Sequence, residues 1–396
     1  MSKHLPIFIP QTADELTAQW LTEAIRSSGL SGEARVTDFA TGPPGAGVGF
    51  SGLTLKVELT WDRHEPGAPA VVLLKVPSDN PGNRGLVEAE GGYDREFDFY
   101  ERFSGDLPIA VPQLVHAVRD PGPTASARRR QFRLVDGLPR PATRFIGRHA
   151  RRLVRPTKRR YALLLEYVER ARVTTAEEIP PPGDLSAILE SLARMHAHLW
   201  RQPVLGDVAV VEWRTVSQMP NLMHGLYRAH RDDVVARMPD VFTDDLMLFA
   251  DWFGDRIVSL TDHLNEPLAL LHGDSRTDNM LFTDDDLVLI DFGMFGSGRP
   301  ACDVAYLLSQ TIPKGSGARA EFQGLCREYH AVLVASGVAD HPLEEFLNDA
   351  DIVLALQAYR LLLIESSFEA DYGGVSLSEV WGIRLLALLP DQLPVV

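Results

Sequence analysis

One stretch constrains this chain more than any other: the eight residues from His272 to Asn279, followed by the triplet Asp291-Phe292-Gly293. Two short apolar runs, 280–282 and 287–290, fill most of the interval, with an acidic turn between them. Runs of this length on either side of a turn predict two paired strands with a polar loop at each end. The segment therefore predicts a β-hairpin that carries functional side chains at both of its ends.

The two loops carry oxygen atoms suited to a hard cation. Asp274 and Asn279 lie in the first loop, and Asp291 lies in the second. We expect the hairpin to bring Asn279 and Asp291 close together. Mg²⁺ takes few protein ligands and completes its shell with phosphate oxygens. Asn279 and Asp291 are therefore candidate Mg²⁺ ligands in a site for a nucleoside triphosphate.

The order His-Gly-Asp, four residues, Asn and then Asp-Phe-Gly resembles the aminoglycoside phosphotransferase and choline-kinase-like branch of the protein-kinase-like fold. Protein kinases have Arg where this chain has Gly273, so the resemblance is to the branch that acts on small molecules. The Glu-x-x-Phe-Tyr sequence at 96–100 and the Asn-Met-Leu-Phe sequence at 279–282 look most like the ecdysteroid-kinase-like and choline-kinase-like group. The resemblance implies ATP and Mg²⁺ as cofactors.

The same resemblance implies an α+β, bilobal fold with a small N-lobe built on an antiparallel sheet and a larger, mainly helical C-lobe. A chain of 396 residues is long enough for two such units. We place the N-lobe at 1–168, with the nucleotide-binding sheet, a glycine loop and a basic insertion at about 120–160. The C-lobe, 169–396, would hold the catalytic loop, the metal site and the acceptor pocket.

The resemblance also implies roles for individual residues of the second lobe. Asp274 would orient the acceptor hydroxyl and accept its proton, while Asn279 and Asp291 would hold Mg²⁺. Arg276 lies two residues after Asp274, where a guanidinium suits the γ-phosphate; an ordinary surface arginine is the alternative. Asp303 matches a family aspartate that supports the catalytic loop by hydrogen bonding.

A glycine-rich segment lies between two predicted strands, 36–40 and 53–61. It contains the spacing G-x-G-x-x-G, but a dinucleotide-binding fold would require a helix directly after it. Between two strands, the segment instead resembles the flap that covers the phosphates in kinases, although a plain surface loop is the alternative. The candidate phosphate contacts are Gly47, Gly49, Ser51 and Gly52.

The next predicted strand, 71–76, carries a single lysine, Lys75, in an apolar run. In isolation such a lysine is as readily explained by an edge or solvent-facing position. The helix predicted over 93–100 offers Glu96 as its partner, and Glu88 is less well placed. By resemblance, an ion pair between Lys75 and Glu96 would direct the ammonium toward the α- and β-phosphates.

The last strand of the first lobe is predicted over 161–168. By resemblance it continues into a hinge whose backbone groups bind adenine, which makes Glu166, Tyr167 and Val168 candidate contacts. Two helix starts are also predicted from local signals. Thr12 with Glu15 has the spacing of a capping box, and Asp184 follows a proline run as a helix cap.

A basic segment departs from the family pattern, which has a short connection here. Residues 128–160 contain thirteen Lys or Arg and one acid, Asp136, so the rest of the chain carries a net charge of −27. A solvated, partly disordered insertion is one interpretation, and a docking surface for an acidic patch or an anionic acceptor is another. The segment lacks the interleaved aromatic residues that would favour contact with lipid or nucleic acid, because only Phe132 and Phe145 fall within it.

Composition excludes several classes of protein. A net charge of −15 argues against general nucleic-acid binding. Two cysteines, Cys302 and Cys326, do not support a disulfide framework, and no apolar run approaches the ~20 residues that span a bilayer. We therefore expect a cytoplasmic protein without a transmembrane segment.

Taken together, the sequence predicts an ATP-dependent O-phosphotransferase that acts on the hydroxyl of a small molecule. The acceptor would be a metabolite alcohol or an antibiotic. If the acceptor is an antibiotic, the protein would confer antibiotic resistance. A protein kinase and a catalytically silent nucleotide-binding module are the alternatives. The identity of the acceptor, the choice between ATP and GTP, and the oligomeric state stay open at this stage.

Overall fold

A computed structural model of the chain describes residues 8–43, 52–153, 155–175, 177–207, 218–367 and 377–395. Its internal contacts divide it into two compact units. The first comprises Met1–Pro123, Val154–Ala171 and Val288–Gly293, and the second Thr124–Leu153, Arg172–Leu287 and Met294–Val396. Among the described helices, none combines the length and the apolar character that crossing a bilayer requires.

The first unit is built on a five-stranded antiparallel sheet, as the sequence predicts. The spatial order of its strands is β1-β2-β3-β5-β4. Side chains alternate between the two faces of each strand, so Val72, Leu74 and Val76 enter the core while Lys75 faces the other way. The strands are β1 (Val36–Gly42), β2 (Gly52–Trp61), β3 (Val71–Pro77), β4 (Leu114–Arg119) and β5 (Tyr161–Glu166).

Three helices accompany this sheet: α1 (Ala18–Ser27), α2 (Pro81–Glu90) and α3 (Gly92–Arg102). Helix α1 packs its buried face on the sheet core. The predicted cap at Thr12 is wrong, because Leu16 is extended and interrupts the chain after a single 3-10 turn. The cap of α1 is instead Thr17, whose hydroxyl accepts a hydrogen bond from the N–H of Trp20 at 3.1 Å.

The second unit is mainly helical, as expected. Three of the four short strands that follow lie wholly within it, and the strand Leu287–Leu289 has only its first residue there. Strand β6 (Ala269–Leu271) pairs with β9 (Gly296–Gly298), and β7 (Met280–Phe282) with β8 (Leu287–Leu289) as the predicted hairpin. The helices are α4 (Ala125–Asp136), α5 (Arg140–Leu153), α6 (Pro182–His198), α7 (Pro220–Arg237), α8 (Asp244–Asp255), α9 (Ile257–Leu264), α10 (Ala301–Thr311), α11 (Ala318–Ala335), α12 (Leu343–Ser367) and α13 (Leu377–Leu386).

Helix α6 does not begin as predicted. Asp184 lies within its first turn rather than at the cap, because Pro182 opens the helix, where its missing N–H costs nothing. The Asp184 carboxylate is bonded to the guanidinium of Arg172 at 2.5 and 3.0 Å. Its charge therefore serves an ion pair near the helix start, where a carboxylate is also favoured by the helix dipole.

Most of the basic segment forms two helices, α4 and α5, which belong to the second unit, whereas residues 155–160 belong to the first; the sequence-based boundary left the whole segment in the first. Its one acid anchors it: Asp136 accepts hydrogen bonds from the N–H of Leu222 at 2.8 Å and from Asn221 at 2.9 Å. Gly225 of α7 allows a close approach, because a Cβ there would lie 2.9 Å from the backbone of Thr143. The segment is thus ordered helix and not a disordered insertion.

Candidate active site

Lys75 in the first unit is held between two carboxylates. Its Nζ lies 2.5 Å from Oε1 of Glu96 and 3.0 Å from Oδ1 of Asp291. The Lys75 side chain is 16% exposed, which excludes the edge or solvent-facing alternative. The predicted ion pair with Glu96 is therefore confirmed, and the contact with Asp291 was not anticipated.

The charge of this lysine is secured by its neighbours. Burial by itself lowers the pKa of Lys75, but the nearby carboxylates of Asp291 and Glu96 outweigh it and raise the pKa above its ordinary value. Burial raises the pKa of Glu96. The ammonium consequently stays charged at neutral pH.

Asp291 is positioned by an unusual backbone and by its neighbour in the chain. Its φ is +63°, in the left-handed region that few residues other than glycine adopt. Phe292 stacks on Phe99 of α3 with ring centroids 3.6 Å apart, and both rings are fully buried. The stack anchors the residue after Asp291, so the surrounding packing maintains the strained backbone.

Glu88, the other acid considered as a partner of Lys75, has different partners. Glu88 pairs with Arg84 at 2.9 Å on α2 and accepts a hydrogen bond from the N–H of Thr157 at 2.6 Å. It therefore has its own partners within the first unit. The choice of Glu96 over Glu88 as the partner of Lys75 agrees with the structure.

Of the predicted phosphate contacts, Gly47, Gly49 and Ser51 lie outside the described residues. Gly52 is the first residue of β2 and pairs with Pro77 of β3. A Cβ at Gly52 would lie 2.6 Å from the carbonyl oxygen of Val76, so this position requires glycine for close strand packing. Its contact with phosphate stays a prediction.

The proposed hinge begins where β5 ends. Glu166 is the last strand residue, and its N–H donates to the carbonyl of Gln113 at 2.9 Å while its side chain is exposed. Tyr167 and Val168 follow outside the strand, and Lys56 lies 5.3 Å from the Tyr167 ring centroid. Adenine binding by these three residues stays a prediction.

In the second unit, Asp274 is surrounded by hydrogen-bond donors. Tyr306 Oη donates to its Oδ1 at 2.9 Å, and Arg276 Nε lies 3.3 Å from the same oxygen. Asn279 Nδ2 donates to the Asp274 carbonyl at 2.8 Å and lies 3.3 Å from Oδ2. These contacts fix the orientation of the Asp274 carboxylate.

Asp303 holds the loop 272–279 by hydrogen bonds, as predicted. Its carboxylate is fully buried and accepts hydrogen bonds from the N–H of His272 at 2.6 Å and of Gly273 at 2.9 Å. Ser275 Oγ donates to the Asp303 carbonyl at 2.8 Å. The Asp303 side chain thus accepts hydrogen bonds from the two backbone N–H groups that precede Asp274, and it sets the path of the loop.

A buried histidine extends this network. His196 Nε2 lies 3.2 Å from Asp303 Oδ2, and its Nδ1 lies 2.6 Å from the Tyr329 hydroxyl. Burial alone would raise the pKa of Asp303, but His196, His272 and the backbone N–H of Gly273 together hold it below its ordinary value. The carboxylate therefore stays ionised and keeps accepting from the loop.

Gly273 is required by geometry. Its φ is +81°, and a Cβ at this position would lie 1.9 Å from the carbonyl oxygen of Met294. No side chain fits without moving the backbone. The glycine that separates this loop from that of protein kinases is therefore dictated here by the chain that packs against it.

Arg276 and Asn279 occupy defined positions in the loop. Arg276 is 16% exposed and also pairs with Asp278 at 3.1 Å, so it is not an ordinary surface arginine. Because the Asp274 carbonyl only accepts, the Asn279 NH₂ must face it, which turns Oδ1 of Asn279 the other way. That orientation fits Asn279 as an oxygen ligand to a cation. Within the described ranges, no cluster of three or more His, Cys, Asp or Glu could hold a metal ion.

Sequence reasoning did not assign a role to Tyr306, His196 or Tyr329 in this site. Tyr306 is three residues after Asp303 on α10, so helical periodicity places both on one side of the helix. That spacing was the available signal for Tyr306. Nothing in the local sequence around His196 indicates its two hydrogen-bond partners, Tyr329 and Asp303.

The chain was compared with protein families and with curated proteins. A model of the phosphotransferase enzyme family (APH) matches residues 83–335. No curated protein matches the chain.

Solved structures with a similar fold include an ethanolamine kinase from Plasmodium vivax, at 13% identity over 92% of this chain and 85% of that chain, with a TM-score of 0.51. A choline kinase from Cryptosporidium parvum is 11% identical over 88% and 87%, with a TM-score of 0.50. A structure of the GDP and kanamycin complex of APH(2″)-IIia is 16% identical over 92% and 96%, with a TM-score of 0.49.

The two kinases confirm the α+β, protein-kinase-like fold expected from the sequence. At these identities the likeness concerns the fold alone. The family match is broader evidence, because it spans the segment from α2 to α11 and includes the catalytic loop and the Asp-Phe-Gly triplet. The chain belongs to the phosphotransferase enzyme family.

Proposed function

We propose that the protein transfers the γ-phosphate of ATP, with Mg²⁺, to a hydroxyl of a small molecule. The observation that carries this proposal is the loop around Asp274, whose carboxylate is fixed by Tyr306, Arg276 and Asn279 in a chain of the phosphotransferase family. A carboxylate held by donors at a loop is suited to orienting a hydroxyl and accepting its proton. Phosphoryl transfer otherwise asks for positioning and charge neutralisation.

Each candidate residue then has a role. Asp274 accepts the proton of the acceptor hydroxyl as its oxygen attacks phosphorus, and Arg276 faces the γ-phosphate. Lys75, directed by Glu96, neutralises charge on the α- and β-phosphates. Asp303 acts through the loop backbone and is a positioning residue. The remaining nucleotide contacts are assigned to Gly47, Gly49, Ser51, Gly52, Glu166, Tyr167 and Val168.

The metal ligands are proposed on the chemistry of two side chains. Asn279 presents its amide oxygen, and Asp291 presents a carboxylate that is 25% exposed in the first unit. Two such oxygens suit Mg²⁺, which takes the rest of its ligands from phosphates and water. When bound, Mg²⁺ supplies charge neutralisation on the β- and γ-phosphates.

The experiment is Mg²⁺-dependent release of ADP from ATP across a panel of antibiotics, sterols, amino alcohols and hydroxy acids. We expect at least one compound to stimulate the wild type, and Asp274→Asn to lower that stimulated rate by about 10²-fold or more. Asp284→Asn is the control, because Asp284 is exposed in the turn between β7 and β8. Equal rates for wild type and Asp274→Asn with a stimulating compound would contradict the assignment of the base.

A further inference from the structure

A cavity of about 20 Å³ lies inside the second unit between α10, α12 and α13. Tyr306 lines it from α10, Gln357, Arg360 and Leu361 from α12, and Trp381 from α13. A space of this size accepts a group as large as a water molecule or one end of a small polar head group. Nothing in the fold alone requires polar side chains to converge there.

Two buried donors in this cavity lack acceptors among the described residues. They are Nε1 of Trp381 and Nε2 of Gln357, whose residues are 8% and 6% exposed. An unpaired buried donor is costly, so buried polar groups in native proteins are normally paired. Two such donors on one small cavity leave room for a water molecule or for a ligand atom that accepts from both.

The third polar group is a cation, and it fixes the orientation of the amide. Arg360 Nη1 lies 2.9 Å from Oε1 of Gln357. Because a guanidinium only donates, the amide oxygen must face it, and the Gln357 NH₂ is left as the donor. Within the described parts of the chain, no carboxylate forms an ion pair with Arg360. The cavity therefore offers three donors and one positive charge.

The cavity adjoins the proposed base through a single side chain. The Arg360 guanidinium lies 5.1 Å from the ring centroid of Tyr306, and the Tyr306 hydroxyl donates to Asp274 Oδ1 at 2.9 Å. Leu361 and Leu385, which are buried, form apolar walls suited to a short carbon chain. A ligand seated at Arg360 would thus lie near the residue that is proposed to activate the acceptor.

We propose that this cavity binds a carboxylate of the acceptor, so that the substrate class is a hydroxy acid. The inference rests on the proposed function and deepens it. A carboxylate accepts from all three donors and neutralises Arg360, and charge-assisted hydrogen bonds of this kind are strong. A cationic amino alcohol or amino sugar would leave the donors unpaired and would be repelled by the guanidinium.

The first test is binding, which requires no turnover. With ¹⁵N-labelled tryptophan the protein gives indole N–H signals, and the signal missing in Trp381→Phe belongs to Trp381. We expect butyrate to move that signal saturably and butyramide, its neutral counterpart, to move it far less. A signal unmoved by butyrate, or moved equally by both compounds, would overturn the proposal. Both titrations are carried out on the wild type, and Trp381→Phe serves only to assign the signal.

Variants then locate the charge that matters. Arg360→Gln should weaken butyrate binding by at least about tenfold, because it replaces the cation with a neutral donor. Arg194→Gln is the matched control, since Arg194 is an exposed arginine that pairs with Glu190 on α6. Equal butyrate affinity in Arg360→Gln and Arg194→Gln would contradict the assignment.

The second test is kinetic and separates the two proposals. ADP release is compared for ω-hydroxy acids and diols of equal chain length. We expect a preference of at least about tenfold in kcat/KM for the acids, which falls toward unity in Arg360→Gln. If every alcohol fails while butyrate binds, the proposed function fails and the cavity assignment stands. If diols and hydroxy acids are phosphorylated equally, the cavity assignment fails and the proposed function stands.

Discussion

The residue type at position 273 is fixed by packing against Met294, a residue that is distant in the sequence. The Cβ of any other residue would lie 1.9 Å from the Met294 carbonyl oxygen, and φ is in the left-handed region. Backbone strain and collision therefore add at this position. Asp274 follows directly in the chain, so a shift of Gly273 displaces the proposed base.

We expect Gly273→Ala to lower the free energy of unfolding by more than about 3 kcal/mol, because strain and overpacking both contribute. Gly337→Ala is the control in the same unit: its φ is +106°, but no atom lies within 4 Å of the added Cβ. That change should cost about 1–2 kcal/mol from backbone strain alone. Urea unfolding of both variants checks this, and equal losses would show that the Met294 contact relaxes.

Asp303 leads to a prediction about pH. Its pKa is depressed in the folded protein, so its stabilising effect is present above the unfolded value of about 3.9 and is lost as pH falls below it. Asp303→Asn should cost about 3 kcal/mol at neutral pH, because one loop N–H then faces an amide NH₂.

The difference in unfolding free energy between wild type and Asp303→Asn should be constant from neutral pH down to about 5 and shrink below about 4. Urea titrations at several pH values measure it. A difference that stays unchanged at low pH would mean that the Asp303 carboxylate is not ionised in the folded loop.

At the scale of elements, α3 and β3 form the part of the first unit that holds a charged group in place. Glu96 of α3 pairs with Lys75 of β3, and Phe99 of the same helix stacks on Phe292. One helix thus contacts both the lysine and the residue after Asp291. A displacement of α3 would move the lysine and Asp291 together.

Glu96→Gln should weaken ATP binding by about tenfold, because the lysine then keeps only Asp291 as a charged partner and is less well directed. The matched control is Glu33→Gln, which breaks the exposed ion pair of Glu33 with Arg63 in the first unit and should leave ATP affinity unchanged. Calorimetric titration with ATP and Mg²⁺ measures both variants. Unchanged affinity in Glu96→Gln would show that Glu96 does not set the position of Lys75 for the nucleotide.

Local sequence signals placed the elements well and their boundaries less well. Strands β1, β2, β3 and β5 were predicted because apolar alternation and glycine breaks are local properties of the chain. Thr12 and Asp184 were wrong as caps because an extended Leu16 and a proline start decided where α1 and α6 begin. Helices α4 and α5 were missed because their arginines masked a buried face, represented by Phe132 and Thr143.

At the scale of the whole molecule, the predictable part of the site is the part encoded by short spacings. The loop with Asp274 and Asn279, and the partnership of Lys75 with Glu96, followed from motif and strand–helix order. Tyr306 and His196 contact partners that are 32 and 107 residues away. Periodicity places Tyr306 on the same side of its helix as Asp303, but it does not identify Asp274 as the partner of Tyr306 or Asp303 as the partner of His196. The unpaired donors of Gln357 and Trp381 depend on how three helices pack, and no local signal encodes them.

The central claim is that phosphate moves from ATP to a small molecule. The most direct measurement is to incubate the protein with γ-labelled ATP, Mg²⁺ and a hydroxy acid, and then to locate the label among small molecules, protein and inorganic phosphate. We predict label in a phosphate ester of the hydroxy acid, and its loss in Asp274→Asn. Label found only on protein, or only as inorganic phosphate at the same rate in both proteins, would contradict the account.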